Sequence, residues 1–204
     1  MDKEFAKRRK NLMRMMGNDA IAIIPAASVK IRNRDVEYDY RQDSDFMYLT
    51  GFDEPEAVLV IAPGRLHGQY VLFCRERDLE METWNGRRAG QAGAMQHFDA
   101  DDAFPISDIN EILPGILEQR ERVFYTMGVN QEFDHRVIGW VNQIRQKGRG
   151  GAHTPNEFIA LEHILHDLRL FKSGYEISKM KKAARAAIAG HRRAMRACRP
   201  GMYE

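Results

Sequence analysis

The chain has 204 residues, of which 44% are hydrophobic and 29% are charged, with a formal net charge of +2. This length allows one large domain or one domain with part of another, and the near-neutral balance gives no global electrostatic reason to expect nucleic acid or a membrane surface as a partner. Cys74 and Cys198 do not suggest a secreted disulfide framework, and no apolar stretch approaches the length of a membrane span or forms a signal peptide. We therefore expect a cytoplasmic protein.

The first third of the chain alternates between helical and strand patterns. Apolar residues recur at helical spacing near the N-terminus, at Phe5, Leu12, Met15 and Met16. This spacing predicts an amphipathic helix that ends at Gly17. The run AIAIIP (residues 20–25) predicts a buried strand. The runs EAVLVIAP (56–63) and QYVLFCR (69–75), joined by a five-residue link with glycine at both ends, predict a hairpin or two neighbouring central strands.

The stretch YRQDSDFMYLTGFDEP (residues 40–55) contains four carboxylates, which are potential metal ligands. A calcium loop beginning at Asp43 fails, because its next ligand and its turn glycine would fall on Met47 and Tyr48. Two alternating sets instead predict a short strand closed by Gly51: Phe46, Tyr48 and Thr50 on one face, and Asp45, Met47 and Leu49 on the other. The preceding charged stretch, residues 31–42, lacks periodicity and predicts a polar loop that either binds a ligand or forms a solvated surface.

Helices and strands continue to alternate up to residue 150. Ser107 predicts the N-cap of a helix over residues 108–120 that Pro114 kinks or divides. RVFYTM (122–127) predicts a strand, and residues 132–148 predict a helix. The apolar face of that helix comprises Phe133, Val137, Trp140, Val141 and Ile144. Strands interleaved with helices favour an α/β domain.

Two capping-box patterns follow a glycine-rich turn at residues 148–151. The first, at residues 154–157, predicts a helix beginning there, and the second, at residues 173–176, opens a long amphipathic helix. The stripe of that second helix comprises Ile177, Met180, Ala184, Ala187, Ile188, His191, Met195 and Cys198. An apolar face so close to the C-terminus needs a partner. Either the sequence is cut within a longer protein, or the helix docks on its own domain.

Histidines and basic residues give weak functional signals. His163 and His166 have metal-compatible i, i+3 spacing, but a third ligand is not evident and a surface or packing role is simpler. His191 lies on the apolar stripe, which predicts a hydrogen-bonded core histidine. Eight basic residues and no acidic ones between residues 179 and 199 favour a solvated helix or an acidic partner domain over RNA. Common catalytic signatures such as G-x-S-x-G and G-x-x-x-x-G-K-[ST] are absent from the sequence.

Three segments in order resemble a known family: YRQDSDFMYLTGFDEPEAVLVI (40–61), RDLEMETWNGRRAGQAGA (77–94) and LRLFKSGYEISKMKKAARAAIAGHRRAMRACRPGMYE (168–204). They resemble the N-terminal half of bacterial aminopeptidase P, the Xaa-Pro aminopeptidase of the creatinase and prolidase superfamily. The resemblance implies an α/β fold of creatinase type, with a mixed sheet flanked by helices. It implies a non-catalytic N-terminal domain over residues 1–171, followed over residues 172–204 by the first helix of a truncated pita-bread catalytic domain.

The activity implied by this resemblance is metal-dependent release of the N-terminal residue that precedes proline. The family uses two Mn²⁺ ions and forms homotetramers, and its substrates are peptides with proline at the second position. The family's metal ligands lie beyond residue 204, so the resemblance implies no catalytic residue, no metal ligand and no activity for this chain alone. The alternative is a stand-alone module that acts in oligomerisation or regulation without catalysis.

The resemblance also implies roles for four side chains. Asp35 and Trp84 match positions that reach the substrate cleft, while Arg41 and Arg87 are candidates for interdomain ion pairs. Trp84 could cover an apolar, proline-containing substrate, and Asp35 could meet an N-terminal ammonium group or orient an arginine. The plainer alternatives are a core or interface tryptophan and a loop-capping aspartate. Met47 departs from the family pattern, in which an aromatic residue is expected at that position.

Overall fold

A computed structural model describes residues 3–203, without the side chain of Arg149. The chain divides into two compact units, with the boundary between His166 and Asp167. The predicted boundary between residues 171 and 172 separates the N-terminal domain from the start of the catalytic domain, and it stays a prediction.

The described chain contains eight strands and eight α-helices. The strands are β1 Ala20–Pro25, β2 Ile31–Asn33, β3 Val36–Glu37, β4 Val58–Ile61, β5 Tyr70–Cys74, β6 Asp102–Pro105, β7 Arg122–Phe124 and β8 Glu157–Ile159. The helices are α1 Lys3–Met16, α2 Ser44–Thr50, α3 Leu79–Asn85, α4 Gly90–Phe98, α5 Ile109–Leu117, α6 Gln131–Gln146, α7 Glu162–Leu170 and α8 Gly174–Ala197. Short 3₁₀ turns occupy Ile106–Asp108 and Gly148–Gly150.

Six strands form one mixed sheet in the order β6-β5-β4-β1-β7-β8. The pairs β1–β4 and β4–β5 are antiparallel, whereas β5–β6, β1–β7 and β7–β8 are parallel. The short link between β4 and β5 permits a hairpin, while the parallel pair β7–β8 needs a crossover, which α6 supplies. The mixed sheet flanked by helices confirms the predicted α/β fold class.

The core lies on both sides of the central strands. All residues of β4 and β5 are buried, which is why these strands appear as continuous apolar runs rather than alternating ones. Helices α5 and α6 pack on one face through a contiguous cluster that includes Leu113, Val137 and Trp140. These buried residues confirm the predicted apolar face of α6, and α1, β1, the β4–β5 hairpin and β7 are confirmed as well.

The predicted strand over residues 45–50 is wrong, because this segment forms the helix α2. The side chain of Asp43 accepts hydrogen bonds from the N–H groups of Asp45 and Phe46, both at 2.9 Å, and thereby caps the helix. Gly51 ends it with φ 67°. Phe46, Leu49 and Thr50 are buried at helical spacing. In so short a segment the same apolar residues fit both the strand period of two and the helical period of 3.6 residues. The cap at Asp43 stabilises the helix.

The capping box predicted at residues 154–157 does not open a helix. Pro155 is buried, and the N–H of Asn156 donates to the carbonyl of Glu121 at 2.9 Å, which leads the chain into β8 alongside β7. The helix α7 begins later, at Glu162. Pairing with a neighbouring strand therefore prevails over the local capping pattern.

The helix predicted over residues 108–120 is present as α5, but Ser107 does not cap it and Pro114 does not divide it. Ser107 lies in a 3₁₀ turn, its hydroxyl donates to Asp108, and α5 begins at Ile109. Pro114 lies inside an undivided α5. Proline lacks only the N–H that would bond to the carbonyl of Asn110, so one hydrogen bond is lost while the buried helix face is kept.

The charged stretch at residues 31–42 is more ordered than the predicted loop. It contains the two-stranded antiparallel hairpin of β2 and β3, which is separate from the main sheet. A two-residue turn at Arg34 and Asp35 joins the strands, and Arg34 adopts φ 50°.

The second unit contains the confirmed capping box of α8. The side chain of Ser173 accepts from the N–H of Glu176 at 3.3 Å, and the carboxylate of Glu176 accepts from the N–H of Ser173 at 2.8 Å. No residue of α8 is buried. His191 is therefore exposed, and the prediction that it is a core histidine is wrong. In the part of the chain that the structure describes, no helix is long and apolar enough to span a bilayer.

Candidate functional site

A crevice of about 640 Å³ opens at the carboxyl ends of β1 and β7. It is lined by Ile23 and Ile24 of β1, by Tyr125 directly after β7 and by Asn130 at the start of α6. In α/β sheets, ligands bind in crevices just beyond the carboxyl ends of the strands. The crevice therefore has the position and shape to receive part of a ligand.

Four carboxylates and one ammonium group line this crevice: Asp43, Asp45, Glu132, Glu162 and Lys30. Asp43 caps α2, and the other three carboxylates lie in the first turns of α2, α6 and α7. In those positions they stabilise the helices by interacting with the positive end of each helix dipole. Their placement thus has a structural cause, and their excess negative charge favours an ammonium group over a carboxylate in the crevice.

The segment that carries Asp35 leaves the rim of this crevice and returns to it. We call residues 31–37 the Asp35 hairpin, and every residue from 31 to 39 is exposed. Among residues 3–203, no hydrogen-bond or ion-pair partner of the Asp35 carboxylate is found. The structure thus gives Asp35 no capping role, and its carboxylate is available to a ligand or to another chain. Its predicted place in a substrate cleft stays a prediction.

Gln42 fixes the base of the Asp35 hairpin. Its side chain is nearly buried, and its Oε1 accepts from the N–H groups of Ala27 at 2.9 Å and Asp43 at 2.8 Å. Its Nε2 donates to the carbonyls of Phe52 at 3.2 Å and Glu54 at 2.9 Å. One amide therefore joins both ends of the hairpin segment to the loop after α2.

Tyr40 reinforces the same base. Its hydroxyl donates to the carbonyls of Ala27 at 3.1 Å and Glu54 at 3.5 Å. Burial raises the pKa of Tyr40 to about 12. The phenol therefore keeps its donor proton at neutral pH, and the hairpin leaves the domain from an ordered base.

Trp84 lies on a second projecting segment, residues 75–90, which we call the Trp84 segment. The side chain is 82% exposed on α3, a helix with no buried residue. This exposure excludes a core role within the described chain. The side chain of Asp78 caps α3 by accepting from the N–H groups of Glu80 and Met81, both at 3.1 Å.

The two arginines predicted for interdomain ion pairs, Arg41 and Arg87, are exposed. Within residues 3–203 neither has a carboxylate partner. Their predicted pairing with another domain stays a prediction.

Glu54 connects the Asp35 hairpin to the Trp84 segment. Its backbone carbonyl accepts from Gln42 and Tyr40 at the base of the hairpin. Its carboxylate accepts from the N–H of Ala89 at 2.7 Å and lies 3.6 Å from Arg75 Nη2, at the two ends of the Trp84 segment. Sequence reasoning missed Gln42 and Glu54, because polar residues between structural elements have no periodic signal and their partners are distant in sequence.

The described residues do not fit a dinuclear metal site. No group of three or more histidine, cysteine, aspartate or glutamate side chains within residues 3–203 is placed to hold a metal ion. His163 and His166 both lie on α7, as their spacing requires, and both are exposed. No reaction step through metal is therefore assigned to residues 3–203.

A family model for the aminopeptidase P N-terminal domain matches residues 5–131, which is more than half of the chain. The chain belongs to this family. It is 41% identical over 202 residues to an Xaa-Pro aminopeptidase of Escherichia coli strain K12, covering 98% of the chain and 46% of that relative. It is 32% identical over 201 residues to an Xaa-Pro aminopeptidase of Haemophilus influenzae, covering 98% and 44%.

Solved structures agree with this membership of the aminopeptidase P N-terminal family. Aminopeptidase PepP of Pseudomonas aeruginosa superposes with a TM-score of 0.96 at 59% identity, covering 98% of this chain and 46% of that one. Zinc-substituted Escherichia coli aminopeptidase P in complex with product superposes with a TM-score of 0.95 at 40% identity, covering 99% and 46%. The chain thus spans about half the length of the relatives that it matches.

Proposed function

We propose that this chain is the N-terminal part of a metal-dependent Xaa-Pro aminopeptidase and that it completes the substrate cleft. The observation that carries the proposal is the shared anchor at Glu54. It holds two exposed segments together, one presenting a carboxylate and the other a tryptophan. Relatives named Xaa-Pro aminopeptidase match the chain almost from end to end, which supports the same activity here.

In this proposal the chain's own residues bind and shield the substrate. Asp35 accepts hydrogen bonds from the N-terminal ammonium group of the peptide, directly or through an arginine, and Trp84 covers the apolar proline ring and excludes water. The residues that would hold two Mn²⁺ ions lie outside this chain in this proposal, and the chemistry that the ions would supply there is activation of a hydroxide nucleophile and polarisation of the scissile carbonyl. The zinc-substituted relative supports a metal-dependent activity.

The proposed partners are peptides with proline at the second position and further copies of the protein in a tetramer. Exposed apolar side chains on the two projecting segments and directly after the first support self-association: Ile31, Val36, Tyr38, Leu79 and Trp84. We also propose a cytoplasmic location, and the two free cysteines support a reducing compartment.

Hydrolysis of an Xaa-Pro tripeptide tests the proposed activity. The 204-residue chain is assayed with and without Mn²⁺. The comparison is the longer protein that we propose, because the relatives are about twice as long as this chain. We expect metal-dependent turnover by the longer protein and none by the chain alone. Turnover by the chain alone would place the catalytic groups within it. Absence of turnover in both would favour the stand-alone oligomerisation or regulatory module.

Substitutions in the peptide-hydrolysing protein test the cleft residues. Asp35→Asn removes one charge-assisted hydrogen bond, so we expect kcat/KM to fall by about 10- to 100-fold. Asp39→Asn is the matched control, because Asp39 is exposed beside the same hairpin and should leave kcat/KM unchanged. Trp84→Ala should raise KM, while Trp84→Phe should retain most of the activity. Equal kcat/KM for Asp35→Asn and Asp39→Asn would remove Asp35 from the cleft.

A further inference from the structure

The helix α3, which carries Trp84, is not held in place by buried side chains of its own. α3 has only seven residues and none of them is buried. A helix this short is not stable by itself in water, and α3 has no buried side chain that would stabilise it by packing. Contacts at its two ends must therefore determine where Trp84 points.

Arg77 holds the N-terminal side of α3. Its Nε donates to Glu82 Oε1 at 2.9 Å and its Nη2 donates to Glu82 Oε2 at 2.8 Å, which is the bidentate geometry that only arginine provides. The pair connects the chain before the Asp78 cap to the middle of the helix. It lowers the pKa of Glu82, so the carboxylate stays ionised and paired at neutral pH.

The start and the end of the segment are also brought together. A Cβ atom at Gly90, which has φ 63°, would lie 2.7 Å from Arg77 Cγ, so the outgoing chain packs directly on the stem of Arg77. Glu54 reaches both sides, through Ala89 and Arg75. Residues 75–90 thus form a compact loop whose ends are close and are closed by its own side chains, a design that is often functional.

We propose that Arg77 and Glu54 are positioning residues for Trp84. Arg77 orders α3 through its bidentate pair with Glu82. Glu54 fixes the orientation of the whole segment and relates it to the Asp35 hairpin. Neither residue touches the substrate, and both act on peptide hydrolysis through the placement of Trp84. This inference rests on the proposed function, because it assumes that Trp84 faces the substrate.

The direct test measures how freely Trp84 moves in the peptide-hydrolysing protein. Arg77→Lys keeps the positive charge but loses the bidentate pair, and Glu54→Ala removes the carboxylate that contacts Ala89 and Arg75. Arg122→Lys is the control for the first variant, because Arg122 pairs with Asp19 outside the segment. Glu80→Ala is the control for the second, because it removes a carboxylate from α3 without breaking any of these contacts.

Time-resolved fluorescence anisotropy is measured for each variant with Trp84 present and again with Trp84→Phe. The difference between the two measurements is the signal of Trp84, separated from that of the other tryptophans. We expect Arg77→Lys and Glu54→Ala to increase the fast component of depolarisation about twofold and the controls to leave it unchanged. We further expect kcat/KM for an Xaa-Pro peptide to fall about fivefold in both variants. Either substitution should cause no additional loss when Trp84 is already alanine, because all three changes act on the same contact.

The outcomes separate the two hypotheses. Unchanged anisotropy in both variants would overturn the positioning roles. Increased mobility of Trp84 with unchanged kcat/KM in every variant would keep the positioning roles and overturn the place of Trp84 in the cleft. Glu54→Ala keeps the backbone carbonyl that accepts from Gln42 and Tyr40, so the base of the Asp35 hairpin is retained. Arg77→Lys tests the Trp84 segment independently of Glu54, so the proposal remains testable if Glu54→Ala fails to fold.

Discussion

At the residue scale, the side chain of Gln42 forms hydrogen bonds with four backbone groups. Gln42→Leu has nearly the same volume but removes a hydrogen-bond partner from two N–H groups and two carbonyls, of which the carbonyl of Glu54 keeps Tyr40. Because each orphaned buried group costs about 1–3 kcal/mol and some of these groups can reach water, we expect a loss of about 3 kcal/mol in the free energy of unfolding. Denaturant titration measures it, with Gln143→Leu on the exposed face of α6 as the control. Equal values for the two variants would mean that the base of the hairpin is held by other contacts.

The two cysteines should differ sharply in reactivity. Cys74 is buried and Cys198 is exposed, and burial, reinforced by the nearby carboxylate of Glu54, raises the pKa of Cys74 to about 12. A thiol reagent should therefore modify Cys198 rapidly at pH 8 and Cys74 only on unfolding. Two equally fast thiols would contradict the buried position of β5.

The same pKa shift predicts a pH dependence of stability. The folded state favours the neutral thiol of Cys74, so its contribution is complete below about pH 9, the ordinary pKa of cysteine, and is lost as the pH rises towards 12. Thermal unfolding between pH 8 and pH 11 should therefore show a smaller alkaline decrease in Cys74→Ala than in the unsubstituted chain. Parallel curves would show that other groups account for the whole decrease.

At the scale of elements, the sequence predicted those whose periodicity was long or unbroken. The 16 residues of α6 have five buried positions at helical spacing, and β4 and β5 are apolar throughout, so each pattern allowed one structure. α2 was missed because seven residues fit both periods, and β8 because its pairing with β7 is not local. The candidate site was predicted only in part for the same reason. Asp35 and Trp84 stand in recognisable segments, whereas Glu54 acts through contacts up to 35 residues away.

Two glycine substitutions with opposite expected signs compare the junction of α1 and α2 with the interior of α5. Gly51 has φ 67°, and a Cβ atom there would lie 2.7 Å from Phe5 Cζ of α1. We expect Gly51→Ala to cost about 2 kcal/mol, since strained backbone and steric overlap add. Gly115 lies inside α5 with open space around it, so Gly115→Ala should stabilise by about 0.5–1 kcal/mol. Denaturant titration of both variants checks the signs, and a stabilising Gly51→Ala would contradict the contact between α1 and α2.

At the scale of the whole molecule, the net charge of +2 conceals two opposite charges. Residues 1–166 contain 21 basic and 26 acidic residues, whereas residues 167–204 contain 10 basic and three acidic residues. The second unit therefore carries most of the positive field, and it presents that field on a helix without buried residues. Near-neutrality of the sum excludes a uniformly basic protein, but it does not exclude an acidic partner surface for α8.

Hydrogen exchange compares α8 with α6 inside one molecule, because both are long, side-chain-capped helices of 24 and 16 residues. α6 has five buried residues and α8 has none, so α8 can open locally without exposing a core. We expect the amides of residues 178–197 to exchange within seconds to minutes and those of α6 at least tenfold more slowly. Salt should slow exchange in α8 alone, because it screens the repulsion between like charges at i, i+4 such as Arg192 and Arg196. Mass spectrometry at two protein concentrations measures this exchange. If α8 is as protected as α6 at both concentrations, the apolar stripe of α8 is covered within the chain. If α8 is protected only at the higher concentration, a second copy of the chain covers the stripe.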